Sequence, residues 1–517
     1  MDPIWLLAFQ FAGRIWYLAS NECAPVSESG DTIPHLPTIA RASFTEALNL
    51  GGGTTGPCSA SLSFSLGLPL DRDVWWMVLE GYQLSQAIGE VSIWYPGTTY
   101  EQRIVLVSAP FVPQKIPTPG KPLEGDFQLL IAVSVADWPP EDAQITADTW
   151  PNAPMNDTAN LTGTRYPFVF GAPGVTTVAG NAYTIPASPC WIVDDTAAAQ
   201  KGLICGAPVD AATVEILYLG SPPLSDTFAV TTEADGLGRR VATVDLSAKD
   251  GSWTLDGSKE LWVIDWSTGG VQQVIGTNPI IGLGDAALYL LLQRYSENGP
   301  ERVDVGSWRA KAPLLNAWSV GFYRDDRGDP MDVVTDLITL TPLLWIVGGP
   351  HGLRPVLLSP RPAALCRTMS EGRELHWVED AMTLGDVKVC NDASAGYARS
   401  GVKDASIGTS TSDAETNPTA DTSQSRPWGI RSDSVDVLTF DEGTAQLAAA
   451  EQVRARWTLP ILLDYESPMF DALNVQLGEP VIIDDTERGI NARAMYCVGR
   501  QIEAGRATAL LSFAAWW

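Results

Sequence analysis

The sequence predicts a mainly β protein with an α+β insertion: a β region at each end, a small β domain, and a module of helices and a hairpin. Three observations predict this. Ser61–Leu66 alternates small polar and apolar residues with period two, as a strand with one buried face requires. Short apolar runs punctuated by Gly and Pro recur through the first half of the chain, the spacing of a barrel or sandwich. Helix signals gather in two places, after residue 276 and near residue 441. A chain of 517 residues is too long for one core and implies about three or four domains. The boundaries read as 1–140, 141–275, 276–373 and 374–517.

In the first region, strands are predicted at Ile4–Phe11, Ile15–Leu18, Arg41–Leu48, Ser61–Leu66, Val91–Trp94, Arg103–Ser108 and Phe127–Val135. Pro96-Gly97 and Gly51-Gly52-Gly53 read as turns. The triple glycine has no Lys-Ser/Thr after it, so it is no phosphate-binding loop, and Gly282-Leu283-Gly284 follows no βαβ pattern. In the second region Arg165–Gly174 is an aromatic extended run closed by a turn. Val214–Tyr218 and Leu261–Asp265 are further strands of the same small domain.

Between 276 and 360 the pattern changes. Asp285 is placed to cap a helix through Tyr295, which Asn298-Gly299-Pro300 stops. A second helix covers Gly306–Trp318 with Pro313 as a kink or break. Asp329-Pro330 opens a third, and Leu343–Val347 with Leu353–Leu358 make a hairpin around Gly348–Gly352.

The last region returns to strand at Asp386–Cys390 and Tyr397–Arg399. Asp404–Ser425 is Ser/Thr/Asp-rich and reads as a long exposed loop. Thr439 and Glu442 match a capping box for a helix over 441–457. Ala445, Ala449, Val453 and Trp457 at spacing four give it one face to lay on a small barrel. Asp441, Glu442, Arg454 and Arg456 complement its dipole, and Pro460 ends it. Leu477–Asp485, Gly489–Arg500 and Ala507–Phe513 supply the closing strands.

Composition narrows the function classes. With 61 acidic against 33 basic residues the formal charge is −28, which repels nucleic acid and argues against a DNA reader. An acidic passage that a polyanion does not stick to is compatible with this charge, as is plain solubility. Seven scattered cysteines with no C-x-x-C pair support neither a zinc nor a redox site, and they fit assembly in a reducing cytoplasm. His35, His351 and His376 are far apart and suggest no metal site. The N-terminus has Asp2 and an early Arg14 in place of a basic leader, so it reads as a strand. No apolar run reaches the roughly 18 residues of a membrane span. Sequons at Asn156 and Asn160 read as chance.

No metalloprotease pair, nucleophile elbow or EF-hand loop occurs. Neither catalytic, cofactor-binding nor metal-ligating residues are assigned. The enzymatic alternative is a secreted or virion-associated glycoside hydrolase or polysaccharide-binding protein. It draws on 19 tryptophans and on carboxylates such as Asp464 with Glu466, or Asp265. Among 61 acids such neighbours arise by chance, and tryptophans such as Trp75-Trp76 and Trp262 read as packing. A receptor-binding fibre has no support, for neither repeats nor heptads occur.

Taken in order, the Ser61–Leu66 alternation, Arg165–Gly174, Ser307–Trp318, Gly349–Pro355 and the run from Ser425 to Phe513 resemble the baseplate (tail-tip) hub proteins of long-tailed, siphovirus-like bacteriophages and gene transfer agents. The resemblance spans most of the chain and implies two tail-tube-like β-barrel domains, within 1–140 and 374–517. It implies a homotrimeric ring that closes the tail tube, adapts sixfold to threefold symmetry and lets DNA pass. The implied partners are a distal tail protein or tail-tube ring, the C-terminus of a tape-measure protein and a central fibre or spike. The implied location is the virion tail tip, assembled in the host cytoplasm, with neither a cofactor nor an enzymatic role. Nothing here resembles an appended lysozyme or peptidase domain.

Overall fold

The computed structural model describes residues 2–50, 55–66, 78, 83–114, 121–129, 136–154, 161–171, 187–196, 199–219, 224–249, 261–272, 278–295, 302–358, 366–384, 389–400, 405–413, 431–456 and 460–515. Strands predominate among them. The two ends of the chain build one 13-stranded sheet. In chain order its strands are β1 (Ile4–Phe11), β2 (Arg14–Ala19), β3 (Ile39–Ala47), β4 (Cys58–Phe64), β5 (Ile88–Trp94), β6 (Ile104–Pro113) and β7 (Leu123–Gln128) from the first region. The last region adds β8 (Arg367–Ser370), β9 (His376–Leu384), β10 (Ile461–Pro468), β11 (Pro480–Asp485), β12 (Ile490–Glu503) and β13 (Thr508–Ala515). The path runs β2-β1-β5-β6-β7-β4-β3-β12-β13-β10-β9, with β8 and β11 branching from β12. The join is the antiparallel pairing of β3 with β12, from Ala47↔Gly499 to Ser43↔Glu503.

The N-terminal half is organised by phenylalanine. Phe9, Phe64, Phe111 and Phe127 are fully buried. Their rings meet at 5.3 Å (Phe9–Phe64), 5.7 Å (Phe9–Phe111) and 5.1 Å (Phe111–Phe127), the spacing that aromatic quadrupoles favour. Each comes from a different strand, so the cluster specifies which strands adjoin.

A seven-stranded sheet makes the small β domain, in the order Ser188–Pro189, Leu261–Trp266, Thr213–Tyr218, Leu224–Ala234, Arg240–Asp245, Ala199–Cys205, Trp191–Thr196. The two strands predicted there are neighbours in it. Phe168–Phe170, from the aromatic run, pairs instead with Phe322–Arg324 of the helical module, and Phe170 stacks on Phe322 at 4.7 Å.

That module packs α1 (Leu283–Arg294) against α2 (Val305–Leu315) and α3 (Pro330–Ile338), beside the hairpin Leu344–Val347 with Arg354–Leu357. Asp329 caps α3 through the Met331 amide at 2.9 Å, as its sequence predicts. Asp285 does not cap α1. Gly282 is at the cap, and the Asn316 side chain reaches across from the end of α2 to accept from the Asp285 amide (3.1 Å) and donate to its carboxylate (2.9 Å). A tertiary cap of this kind leaves no local signature. Helix α2 begins one residue earlier and ends three residues sooner than predicted, with Asp304 as its cap and Pro313 inside it.

Further expectations are corrected. The strand predicted at Phe127–Val135 begins at Leu123; its apolar pattern continues past the end of β7, and 130–135 lie outside the described residues. Val389 and Cys390 are not strand, and 386–388 are likewise outside. Ala405–Asp413, predicted as loop, is a nine-residue strand paired antiparallel with Asp392–Ser400, whose other edge takes Ser432–Asp436 in parallel. Backbone pairing needs no apolar side chains, and Ser410 lies buried where a helix covers the sheet.

That helix is α4 (Glu442–Arg456), and it packs on this small three-stranded sheet where the main sheet was expected. Its Ala-rich face (Ala445, Ala448, Ala449) is buried, as are Ala393 and Ala395 of the strand it packs on. Its cap is Asp441, which accepts from the Thr444 amide at 2.6 Å and the Thr444 hydroxyl at 2.7 Å. Thr439 instead accepts from the Asp441 amide (3.1 Å), two residues before the cap, in place of its predicted capping-box role. Trp457, Trp75-Trp76, Asn156, Asn160, Gly51–Gly53 and Asn298–Pro300 lie outside the described residues.

Candidate functional site

Six consecutive strands of the main sheet (β10, β13, β12, β3, β4, β7) straddle the join between the two ends of the chain. One face is core, built by Phe44, Ala60, Leu62, Phe127, Ile502, Leu511 and Phe513. The other face is half-exposed and mostly polar. Register aligns Glu466, Leu510, Gln501, Thr45, Ser59 and Gln128 in one row across all six strands. The next row aligns Glu503, Ser43, Ser61 and Asp126, and a third Arg41, Ser63 and Glu124. On the far side of the first row Asp464 faces Ser512. The face therefore presents hydroxyls and the carboxylates of Asp464, Glu466, Glu503, Asp126 and Glu124, against the single guanidinium of Arg41 in these rows.

Hydrogen bonds tie side chains of this face to one another. The Ser61 hydroxyl donates to the Asp126 carboxylate of the adjoining strand, and the Gln501 amide donates to Glu503 at 3.1 Å. Serine occupies every second position of β4 on this face, at Ser59, Ser61 and Ser63. Carboxylates so arrayed repel phosphate, and the sequence-wide charge of −28 has the same sign.

Beneath the join a carboxylate lies in the core. Glu46 of β3 is 2% exposed. It is ion-paired with Arg500 of β12 at 2.8 Å and with Arg354 of the module hairpin at 3.3 Å. The Arg500 guanidinium lies 5.5 Å from the Phe44 ring centre. It also approaches the carbonyls of Ala472, Leu473 and Val475 at 3.4–3.5 Å, at the end of the short helix α5 (Met469–Leu473). A buried charge is tolerated only when paired in this way. Gly56 brings the module still closer: Thr55–Gly56 pairs with Ile346 and Val347, and a Cβ on Gly56 would lie 2.2 Å from the Ala47 carbonyl. Three separate stretches of chain thus meet at one acid.

Sequence reasoning missed this triad. Its signal was available, because Glu46 occupies an inward position in the alternation Ala42, Phe44, Glu46, Leu48, where only a paired charge is stable. The carboxylates that were singled out do not converge. Asp464 and Glu466 share the open face of β10, with Tyr465 between them turned into the core. Asp265 stands on the separate seven-stranded sheet opposite Glu215, where burial and then that neighbour raise its carboxyl above the usual range. Trp262 packs with Ala187, Leu217 and Ile264. Among the described residues no group of three or more His, Cys, Asp or Glu is placed to hold a metal ion, and no helix is long and apolar enough to cross a membrane.

No protein-family model matches the chain, and no curated protein matches it in sequence. Its structural neighbours are phage tail proteins. One is the tail protein from Neisseria meningitidis MC58, 10% identical, with a TM-score of 0.39 over 99% of this chain and 96% of that one. Another is the 43 kDa tail protein of prophage MuSo2 from Shewanella oneidensis, 9% identical, with a TM-score of 0.37 over 98% and 97%. A third is the prophage tail protein gp18 from Listeria monocytogenes EGD-e, 8% identical, with a TM-score of 0.26 over 64% and 87%.

Proposed function

We propose that this chain is a structural subunit of a phage tail tip, the baseplate hub. It assembles as a homotrimer in which the two ends of each chain, 1–140 and 374–517, supply two tube-like segments, so that three chains present six to the tail tube and three below. The carrying observation is the continuous sheet joined through β3 and β12, with its polar, acidic face. Facing the axis, that face lines a channel through which DNA passes without adhering. In this reading the 141–275 and 276–373 regions lie outside or below the ring. A distal tail protein or tube ring binds above, the tape-measure C-terminus inside and a central fibre or spike below. The protein catalyses nothing and works in the virion, after assembly in the host cytoplasm.

Mass measurement of the purified chain, alone and with the distal tail protein, together with imaging by electron microscopy, tests this. The expected result is a trimer forming a hollow ring with the β4 face inward. A monomer under every condition, or a ring with that face outward, overturns it. So does sugar release from a polysaccharide panel that stops when Asp464 and Glu466 are neutralised.

A further inference from the structure

We infer that residues 21–37 form an acid-releasable strap over the β2 edge of the main sheet, with His35 as its latch. The inference is independent of the tail-tip reading. Strand β2 ends the sheet path, and an uncovered terminal edge offers unpaired N–H and C=O groups to any other strand. The strap occupies that edge: the Leu36 amide donates to the Tyr17 carbonyl at 2.9 Å, and the Ala19 amide donates to the Leu36 carbonyl at 2.8 Å. The strap is itself a narrow hairpin, bridged at Cys23–His35 and Val26–Thr32. Its tip is tied by Ser27, Ser29 and Asp31. Two further bonds hold it to the body, from the Tyr100 amide to the Val26 carbonyl (3.0 Å) and from the Glu28 amide to the Glu101 carboxylate (2.9 Å).

Little else anchors it. Of residues 21–37 only Pro25 and His35 are buried, while Val26 and Leu36 stand 46% and 44% exposed. His35 sits between Tyr17 of β2 at 5.4 Å and Tyr100 at 5.9 Å between ring centres. Its Nδ1 donates to the Ile33 carbonyl (2.9 Å), and its buried Nε2 has no hydrogen-bond partner among the described residues. This is a site for neutral imidazole. The groups facing it are Tyr17 from β2, Tyr100 and Arg103 from the turn between β5 and β6, and Cys23 from the opposite arm of the strap. Arg103 lies over Tyr100 at 3.9 Å and pairs with Glu90 of β5 at 2.6 Å.

Protonation puts a second donor on Nε2, where none of the described residues offers an acceptor, and a second cation near Arg103. Burial first, and Arg103 after it, hold His35 below its ordinary value of 6.5, against the opposing bond to Ile33. The sign follows. With the folded value below the unfolded one, closure is complete above the ordinary value and is lost as pH falls through the window beneath it. Opening exposes the β2 edge and the small cluster of Ile4, Leu6, Ala19 and Trp94, against which Cys23 and Tyr100 pack.

Hydrogen exchange of the intact chain, followed by mass spectrometry at about pH 7.5 and about pH 5 and corrected for intrinsic rates, tests the latch. Protection of peptides spanning 15–37 is expected to fall about tenfold at the lower pH while β3 and β4 stay protected. His35→Phe, a neutral filler, should abolish that pH dependence, and Arg103→Gln should move its midpoint upward. If the phenylalanine leaves the strap open at both pH values, His35→Asn decides, since its amide can still donate to Ile33; pH-independent protection there supports the latch. Equal wild-type protection at both pH values, or pH dependence surviving either His35 substitution, overturns it.

Discussion

Glu46 and Arg500 face each other at 2.8 Å across the β3–β12 pairing, so an acid from the first tenth of the chain and a base from its last few per cent share one buried contact. Arg354 gives the acid a second partner from the helical module, and the carbonyls of Ala472, Leu473 and Val475 give the base further acceptors. The main sheet is therefore one folding unit, although its strands come from sequence ends separated by the whole of the small domain and the module.

Removing one member should be costly. Glu46→Ala strips two largely buried arginines of their shared acid and should destabilise by about 3–5 kcal/mol, and Arg500→Met, which leaves Glu46 to Arg354 alone, should cost less. The double variant should cost clearly less than the sum. Urea unfolding followed by tryptophan fluorescence checks this. Independent, additive losses would mean the two side chains do not act as a pair.

The Asp441 cap gives a smaller and sharper test. Asp441→Ala should cost about 1 kcal/mol through the lost bond to the Thr444 amide, and Asp441→Asn only a few tenths. Urea midpoints of the two variants measure the difference. A larger loss for Asp441→Asn than for Asp441→Ala would reject the assignment of Asp441 as the cap.

Much of the fold was legible because local rules carried it. The alternation of Ser61–Leu66 placed β4, Asp329-Pro330 placed α3, and β1 agrees residue for residue. What the sequence hid was every decision made across distance. Asn316 caps α1 from another helix. The Ala-rich face of α4 suits any surface of small residues, and only tertiary folding brings it onto Ala393 and Ala395. Ala405–Asp413 forms a strand on backbone pairing that its polar side chains do not announce. Of the candidate site, the acidic surplus was visible but not which carboxylates share one face, which depends on the register of six strands. Glu46 alone was a readable clue, an acid in an inward position.

Thiol reactivity offers a check on the core that uses pH directly. Burial pushes Cys497 up to about 12 and Cys205 up to about 11, and raises Cys58 and Cys190 further. At about pH 8 the reactive thiolate of Cys497 is then roughly one part in ten thousand. Labelling of these four cysteines with a soluble disulfide reagent should be negligible in the native state. It should rise with pH only well above 9, and become fast in denaturant. Rapid native labelling of Cys497 at neutral pH would mean that the floor of the join is open to solvent.

The open face can be set against mere acidity by reversing the same number of charges at two different places. Glu124, Asp126 and Glu503 lie in the two adjoining rows around Ser61, and replacing all three by Lys adds positive charge where DNA is proposed to pass. Glu22, Glu28 and Asp31, exposed on the strap, receive the same reversals as a control of equal net charge. If the face lines a channel, the first variant should hold double-stranded DNA in a salt-dependent way and slow genome release from assembled particles, because each lysine close to a phosphate displaces counterions. The control should do neither, since its charges lie away from the path. Identical behaviour of the two variants would show that net charge alone matters and that this face has no special relation to DNA.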